Sequence, residues 1–352
     1  MASIRCRLAR LPEESPNAVA LVYLAEGAAN IVFSIQKSQT QHPVVFEGPR
    51  RILYHPTVFN AFVMRISKGL DKTLDGRQVY HDFEHEIQPL FDTRSTPNFL
   101  EHLLSLWMVA LDPSVHSGLN EEIETRSSRY KGPIPTDSVG LIMENMSTSQ
   151  SQHTLSVTIE LKPKWLAQSP NAPPGSVRCR TCALQASKEH KGISKKDAYI
   201  CPLNLIDAEA NVLEPFILLN VQEATRGQVE LQAAKEQAIA HTMAHYLEHG
   251  KGYLLMQHIR TKQCELDPHG VLGPYNPHDL RLAMTLRDCS LFLRYVENEH
   301  GTEVQARLGD LDFKSAEKMD DWAKKEEQLI AGGWYKGHGN PAWAYGTCRY
   351  ME

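Results

Sequence analysis

Two lysines on either side of a proline, directly after a predicted β-strand, are the first residues of this chain that suggest chemistry. Residues 154–160 alternate polar and apolar side chains, which is typical of a strand. Pro163 cannot donate to a β-ladder, so the ladder must weaken or end there. If extended geometry continues through the proline, Lys162 and Lys164 point to the same face. Two ammonium groups on one face suit a polyanion.

More cations follow farther along, although the 352-residue chain has a net charge of −5. Only Glu189 and Asp197 oppose them. The basic run lacks the interleaved aromatic side chains that would stack on RNA bases, and the overall charge is negative. We therefore do not expect nucleic acid as the partner. The cations are Arg178, Arg180, Lys188, Lys191, Lys195 and Lys196.

The composition is that of an ordinary globular protein, with 42% hydrophobic and 22% charged residues. The length favours two domains over one large core. The sequence has no apolar window of about 18 residues, so we do not expect a membrane span. It has no long apolar stretch near the N-terminus, so we do not expect secretion. Seven cysteines fit reduced thiols in a protein of the nucleus or the cytoplasm, or both.

Hydrophobic patterning predicts an α+β protein whose first part is rich in strands. Residues 18–25 and 31–35 read as a hairpin with Gly27 at its turn, where a positive φ is inexpensive. Residues 62–66 and 139–143 read as further strands, and residues 167–200 read as a basic, partly helical insert. Predicted helices cover 98–107, 227–250, 278–299 (one helix or a pair) and 316–330.

Five short motifs follow one another in the order that the inositol-pentakisphosphate 2-kinases show, and the chain resembles that family through them. The resemblance extends over roughly residues 20–325, and five motifs in one order are hard to obtain by chance. One of them is Glu-Leu-Lys-Pro-Lys at 160–164 followed by Cys-Arg-x-Cys-x-x-Gln at 179–185. The others lie at 27–32, 63–66, 286–291 and 310–314.

The resemblance implies a two-lobed, kinase-like α+β fold. Residues 1–145 would form a strand-rich N-terminal lobe that holds the nucleotide phosphates and ends in a hinge. Residues 146–352 would form a larger, mixed, helix-rich C-terminal lobe that carries the inositide-binding insert, the inositol phosphate site and the Mg²⁺ site. We expect a monomer.

The resemblance also assigns the nucleotide site. Gly27 and Asn30 belong to the turn that would cover the phosphates, and the family has a second glycine there that this chain lacks. Arg65 takes the place of the protein-kinase β3 lysine and would grip phosphate oxygens. Glu144 and Asn145 would read the adenine edge. From the residues alone, a structural turn, a solvated strand arginine and a polar strand end remain open.

Three carboxylates are the candidates for catalysis and metal binding. By resemblance, Asp288 accepts the proton of the attacking hydroxyl, and Asp310 and Asp312 hold Mg²⁺. Strand alternation would put both of these and Lys314 on one face. The alternatives are a helix aspartate paired with Arg287 or Arg294, and a surface cluster of ions.

The substrate site needs many cations, since five phosphomonoesters carry roughly −8 to −10 at neutral pH. Arg178 is a plausible helper, and Arg126 is an alternative to Arg129. Leu184 stands where the family often has a histidine, and residues 213–216 lack the expected phosphate-contacting pair. The residues that the resemblance assigns to this site are Arg129, Lys162, Lys164, Arg180, Lys188, Lys314 and Lys318.

We expect no structural metal from the sequence. Cys179 and Cys182 have Cys-x-x-Cys spacing, but Cys201 has no close partner, and a zinc ribbon needs two pairs. The family's plant members hold zinc with two cysteines and two histidines in the C-terminal lobe. The matching region here has several histidines and Cys264 but no Cys-x-x-Cys pair.

The implied activity is ATP-dependent phosphorylation of the axial 2-hydroxyl of inositol 1,3,4,5,6-pentakisphosphate to the hexakisphosphate, with Mg²⁺. One alternative is a catalytically weak protein that binds inositol polyphosphates or RNA on a kinase scaffold. Another is a kinase-like transferase for a different small molecule. Because carboxylates repel phosphate, a protein that only bound phosphates would not need them, and their presence favours an enzyme. The dense lysine set favours a polyphosphate substrate.

Overall fold

The computed structural model forms two compact units. Unit 1 comprises Met1–His85 and Leu104–Asn145, and unit 2 comprises Glu86–Leu103 and Met146–Glu352. The described residues are 6–10, 19–37, 44–47, 61–70, 73–93, 97–111, 113–125, 130, 132–136, 139–193, 199–206, 210–339 and 348–351.

Strands and helices are numbered in chain order. The strands are β1 (Cys6–Arg10), β2 (Val19–Glu26), β3 (Asn30–Lys37), β4 (Val44–Glu47), β5 (Phe62–Ser67), β6 (Leu106–Leu111), β7 (Val139–Glu144), β8 (Ser149–Gln150), β9 (Thr154–Leu161), β10 (Ser290–Asn298) and β11 (Gly301–Gly309). The helices are α1 (Gly76–Asp82), α2 (Gln88–Phe91), α3 (Pro113–Thr125), α4 (Arg180–His190), α5 (Ala210–Thr225), α6 (Ala233–His249), α7 (Lys251–Leu266), α8 (Pro277–Leu286) and α9 (Met319–Ala331).

Unit 1 is built on a closed barrel with the strand order β1-β4-β2-β3-β5-β7-β6. The predicted hairpin is confirmed, because β2 and β3 pair antiparallel and Glu26 lies opposite Ile31. The strands predicted at 62–66 and 139–143 are confirmed as β5 and β7, which also pair. Side chains of β3, β5 and β7 supply a buried core, which includes Ile31, Phe33, Met64, Ile66 and Ile142.

The helix predicted at 98–107 is wrong. Leu100–His102 forms a single 3₁₀ turn, and β6 begins at Leu106. β6 pairs antiparallel with β7 and parallel with β1, so Trp107 lies opposite Ile142. These partners are distant in sequence, and strand pairing overrides the local helical spacing of the leucines.

Unit 2 combines an antiparallel sheet, in the order β11-β10-β9-β8, with most of the helices. The helix predicted at 278–299 is correct only in its first half, because α8 ends at Leu286 and the remainder is β10. β10 lies between β9 and β11, and Leu291 and Leu293 are fully buried. Its aromatic and aliphatic residues suit such a central strand.

The other predicted helices are confirmed: α6 lies within 227–250, α9 covers most of 316–330 and ends one residue later, and α4 lies within the basic insert. The α+β class is therefore correct, and two sheets with accompanying helices are consistent with a kinase-like fold. Within the described ranges, no helix combines the length and the apolar character that a bilayer crossing requires.

Candidate active site

A strongly basic cavity of about 570 Å³ lies in unit 2. All the predicted substrate-binding residues that the structure describes line it, and Arg129 lies outside the described residues. Lys325, which the sequence analysis did not single out, lines it as well. The acidic side chains of its wall belong to Glu160, Asp288 and Asp321. The cationic residues of the wall other than the buried Arg287 are Lys162, Lys164, Arg180, Lys188, Lys314, Lys318 and Lys325.

Lys162 and Lys164 reach the same place, but not through extended geometry. β9 ends at Leu161, and Lys164 has a φ of +54°, in the left-handed region that side-chain-bearing residues rarely adopt. The Lys162 Nζ donates to Ser290 Oγ at 2.6 Å and to Asp310 Oδ2 at 2.8 Å. The backbone turn therefore replaces strand alternation as the cause of the convergence.

Asp288 lies in the turn between α8 and β10, where two ammonium groups clamp its half-exposed carboxylate. Lys164 Nζ is 2.8 Å from Oδ1, and Lys314 Nζ is 2.7 Å from Oδ2. Burial favours the neutral acid, but the charge of Lys314 and the hydrogen bonds from both lysines outweigh it and hold the pKa of Asp288 well below its usual range. The partners are thus not the Arg287 or Arg294 that the sequence suggested.

Asp310 and Asp312 follow the end of β11. Strand alternation does not order them, because Asp310 has a φ of +54°. The Asp310 carboxylate instead faces the Lys162 ammonium, whereas Lys314 turns to Asp288. Hard carboxylate oxygens are ligands that Mg²⁺ prefers, and the ammonium at Asp310 shows that this position favours a cation. Asp310 therefore offers the kind of ligand that the expected metal takes, and the metal-binding roles of Asp310 and Asp312 stay predictions.

Backbone contacts from α7 and α8 fix the lysines of the cavity. Gln263, 1% exposed, donates to Lys164 O at 2.9 Å and accepts from the Leu166 N–H at 3.0 Å. Thr285 Oγ accepts from the Lys314 N–H at 3.1 Å, and Arg281 Nε donates to Lys314 O at 2.5 Å. Sequence reasoning missed these positioning residues, because no local pattern marks a side chain that bonds to a distant backbone.

Trp165 forms part of the cavity wall between two arginines. The guanidinium of Arg287 lies 3.5 Å from the centroid of the Trp165 ring, and that of Arg180 lies 4.8 Å from it. Arg287 also forms a buried ion pair with Asp267 at 2.5 Å. Arg178 is buried, donates to backbone carbonyl oxygens of residues 334–339 and does not line the cavity, so its role as a substrate helper stays a prediction.

Glu326 holds Arg180 of the cavity wall in place. Its replacement by glutamine should destabilise the protein. Its fully buried carboxylate accepts from Arg180 Nε at 3.1 Å, from Ser169 Oγ at 2.8 Å and from Tyr335 Oη at 2.5 Å. Glutamine leaves the buried Arg180 charge uncompensated, which typically costs about 3–5 kcal/mol. We expect a loss of about 3 kcal/mol in the free energy of unfolding, measured by denaturant titration.

The neighbouring Glu327→Gln variant is the matched control, because Glu327 lies in the same helix and is exposed. We expect it to change stability by less than about 0.5 kcal/mol. Equal stability of the two variants would show that the Arg180–Glu326 pair contributes nothing to the fold.

The predicted nucleotide residues lie on three strands or strand ends of unit 1. The Gly27 N–H donates to Asn30 O at 2.9 Å, but Gly27 does not have the expected positive φ, and a Cβ there would meet open space. Arg65 is buried in β5. Glu144 ends β7, and the Asn145 N–H donates to the carbonyl oxygen of residue 61 at 2.8 Å. Their roles stay predictions.

Lys68 is a second cation of unit 1 that the sequence analysis missed. Its buried Nζ donates to Gly27 O at 2.7 Å and lies 3.0 Å from Glu26 Oε2. It also lies over the ring of Tyr130, 5.1 Å from the centroid. Lys68 therefore fixes the turn between β2 and β3 to the end of β5.

Comparison with known proteins decides the family. The model of the family described as inositol-pentakisphosphate 2-kinase matches residues 23–328. The chain belongs to the inositol-pentakisphosphate 2-kinase family. The resemblance inferred from the five motifs is therefore confirmed, and the matched span contains every predicted site residue.

One similar protein is the inositol-pentakisphosphate 2-kinase of Yarrowia lipolytica (strain CLIB 122 / E 150). It is 35% identical over 211 residues, which cover 58% of this chain and 63% of the relative. The matched part therefore spans less than two thirds of the relative's length.

Proposed function

We propose that this protein transfers the γ-phosphoryl group of ATP to the axial 2-hydroxyl of inositol 1,3,4,5,6-pentakisphosphate and forms the hexakisphosphate. The observation that carries the proposal is the cavity of unit 2, which cationic side chains line and in which two of them clamp the carboxylate of Asp288. A substrate with a charge of roughly −8 to −10 needs such a concentration of cations. The volume of the cavity is in the range of small-molecule binding sites.

Asp288 acts as the proton acceptor for the attacking hydroxyl. In the structure its two lysines hold it ionised and make it a weak base. Phosphate groups of the substrate compete for the same ammonium groups of Lys164 and Lys314. Once these turn to phosphate, the pKa of Asp288 rises toward the range in which a general base is effective. The substrate itself would thus activate the base.

Asp310 and Asp312 hold Mg²⁺ in this proposal. A bound magnesium ion shares the phosphate oxygens of ATP and neutralises their charge. In the structure the Lys162 ammonium lies against Asp310 and Ser290, and Glu160 is 3.5 Å away. Lys162 would turn to a substrate phosphate when the metal takes its place beside Asp310.

The two lobes of a kinase would correspond to residues 1–145 and 146–352, with residues 86–103 packed in the second unit. Gly27 and Asn30 of the first lobe would cover the ATP phosphates, and Arg65 would grip them. Glu144 and Asn145 would read the adenine edge. The insert with α4 would supply Arg180 and Lys188 to the inositide, and the protein would act as a monomer.

The test is ATP consumption with inositol pentakisphosphate and Mg²⁺, with the product identified by ³¹P NMR. We expect a new resonance from an axial 2-phosphate. Tight binding of the pentakisphosphate without turnover would instead indicate a binding protein on a kinase scaffold. Turnover of another small molecule, without pentakisphosphate binding, would overturn the substrate assignment.

A further inference from the structure

The lysines of the basic cavity differ in their carboxylate partners. Three of them are held in ion pairs by Asp288 and Asp310. Lys318 and Lys325 line the same cavity and are exposed, and neither forms an ion pair with a carboxylate of the described part of the chain. A phosphate group can therefore bind Lys318 or Lys325 without breaking an existing ion pair.

Two buried contacts set the rotation of α9 and turn the face that carries Lys318 and Lys325 toward the cavity. Helical residues that are three, four or seven positions apart share a face, so Trp322 lies between the two lysines. Trp322 is buried in one cluster with Trp165 of the cavity wall. Glu326, the residue after Lys325, forms a buried ion pair with an arginine of the same wall. The direction of the two lysines thus follows from packing that the inositide does not have to create.

One carboxylate shares this face with the two lysines. Asp321 lines the cavity and is exposed, and it forms no ion pair within the described ranges. Lys318 and Lys325 contribute a charge of +2 and Asp321 a charge of −1, so this part of α9 has a net charge of +1. The long stem of a lysine carries its ammonium group farther from the helix than the short side chain of an aspartate reaches. A bound anion therefore meets the ammonium groups first.

We propose that Lys325 is a specificity-determining residue, whose ammonium group binds one phosphate of the inositide at a subsite on the α9 wall. This inference rests on the proposed function and extends it to the choice of substrate. An inositol that carries a phosphate at this subsite gains a contact that a less phosphorylated inositol lacks. Lys325 therefore favours highly phosphorylated inositols over lower ones.

Lys325→Met should raise the KM for inositol pentakisphosphate by about 5- to 10-fold, the effect of a charge-assisted hydrogen bond at an exposed position. It should change kcat by less than about twofold, because a contact made equally in the ground state and the transition state acts on KM alone. Methionine keeps the apolar stem and suits a helix. Since Lys325 is exposed and has no ion pair in the described part of the chain, Tm should stay within about 2 °C of the wild type.

Lys324→Met is the matched control for this variant. Lys324 is the neighbour of Lys325 in α9, is exposed and does not line the cavity. The change in net charge is the same, and we expect KM to stay at the wild-type value. Lys325→Arg should restore most of the affinity, because a guanidinium group also binds phosphate.

The test compares substrates that differ by a single phosphate. Dissociation constants are measured by calorimetry for inositol pentakisphosphate and for the inositol tetrakisphosphates that each lack one of its phosphates. We expect the effect of Lys325→Met to disappear with the tetrakisphosphate that lacks the bound phosphate and to persist with the others. An equal effect with every tetrakisphosphate, an equal effect in Lys324→Met, or no effect at all would overturn the proposal.

The binding measurement needs no turnover, so the subsite and the proposed activity can fail separately. A phosphate-specific effect of Lys325→Met in a protein that does not phosphorylate the pentakisphosphate would leave the subsite standing and refute the activity. Phosphorylation of the pentakisphosphate with the same KM in the wild type and in Lys325→Met would refute the subsite alone.

Discussion

Asp288→Asn should lower kcat by about 10²- to 10⁴-fold, the range that general-base assistance supplies, and should leave inositide binding intact or tighter. Asparagine cannot accept the proton of the hydroxyl, so the chemical step loses its base. The same change removes a negative charge that now pairs with Lys164 and Lys314. Both ammonium groups then become available to phosphate. Turnover and calorimetric binding of inositol pentakisphosphate measure the two effects separately.

Asp320→Asn is the matched control for this variant. Asp320 is exposed at the start of α9 and does not line the cavity, so the substitution makes the same change in net charge away from the site. We expect it to keep wild-type kcat. If Asp288→Asn instead weakened binding as much as turnover, Asp288 would be a structural partner of the lysines and not the base.

Local patterns predict those parts of the fold that depend on neighbouring residues. The β2–β3 hairpin follows from an alternating apolar pattern around a glycine turn, and α9 follows from its amphipathic spacing. β10 could not be predicted in this way. The apolar run after Asp288 fits a helix or a strand equally well, and pairing with β9 and β11 decides between them.

The same limit separates the predictable from the unpredictable parts of the candidate site. Family motifs indicate which lysines belong to it, and the described ones line one cavity. The left-handed backbone at Lys164 carries no sequence signal, because lysine rarely adopts a positive φ, and the aspartate at position 310 is only a weak signal for one. The clustering of Cys348 with Cys179, Cys182 and Cys201 could not be predicted for a related reason, since 146 residues lie between Cys201 and Cys348. Only the folded chain brings such residues together.

Lys164→Met should raise the KM for inositol pentakisphosphate by about 10- to 100-fold, because hydrogen bonds to charged groups contribute about 1.5–3 kcal/mol each. Methionine keeps an apolar stem of similar length and meets the same backbone requirement at a φ of +54°. The variant therefore removes the charge and little else. Fewer ion contacts also mean weaker screening by salt, so KM should depend less steeply on ionic strength.

Lys251→Met provides the comparison that separates a local contact from overall charge. Lys251 is exposed, pairs with Glu101 at 2.9 Å and does not line the cavity. We expect its KM and its salt dependence to stay near those of the wild type. An unchanged KM in Lys164→Met would remove Lys164 from the substrate site, and an equal rise in both variants would point to a general effect of net charge. A rise in KM confined to Lys164→Met, together with a shallower salt dependence, would show that the ammonium group that pairs with Asp288 also binds the substrate.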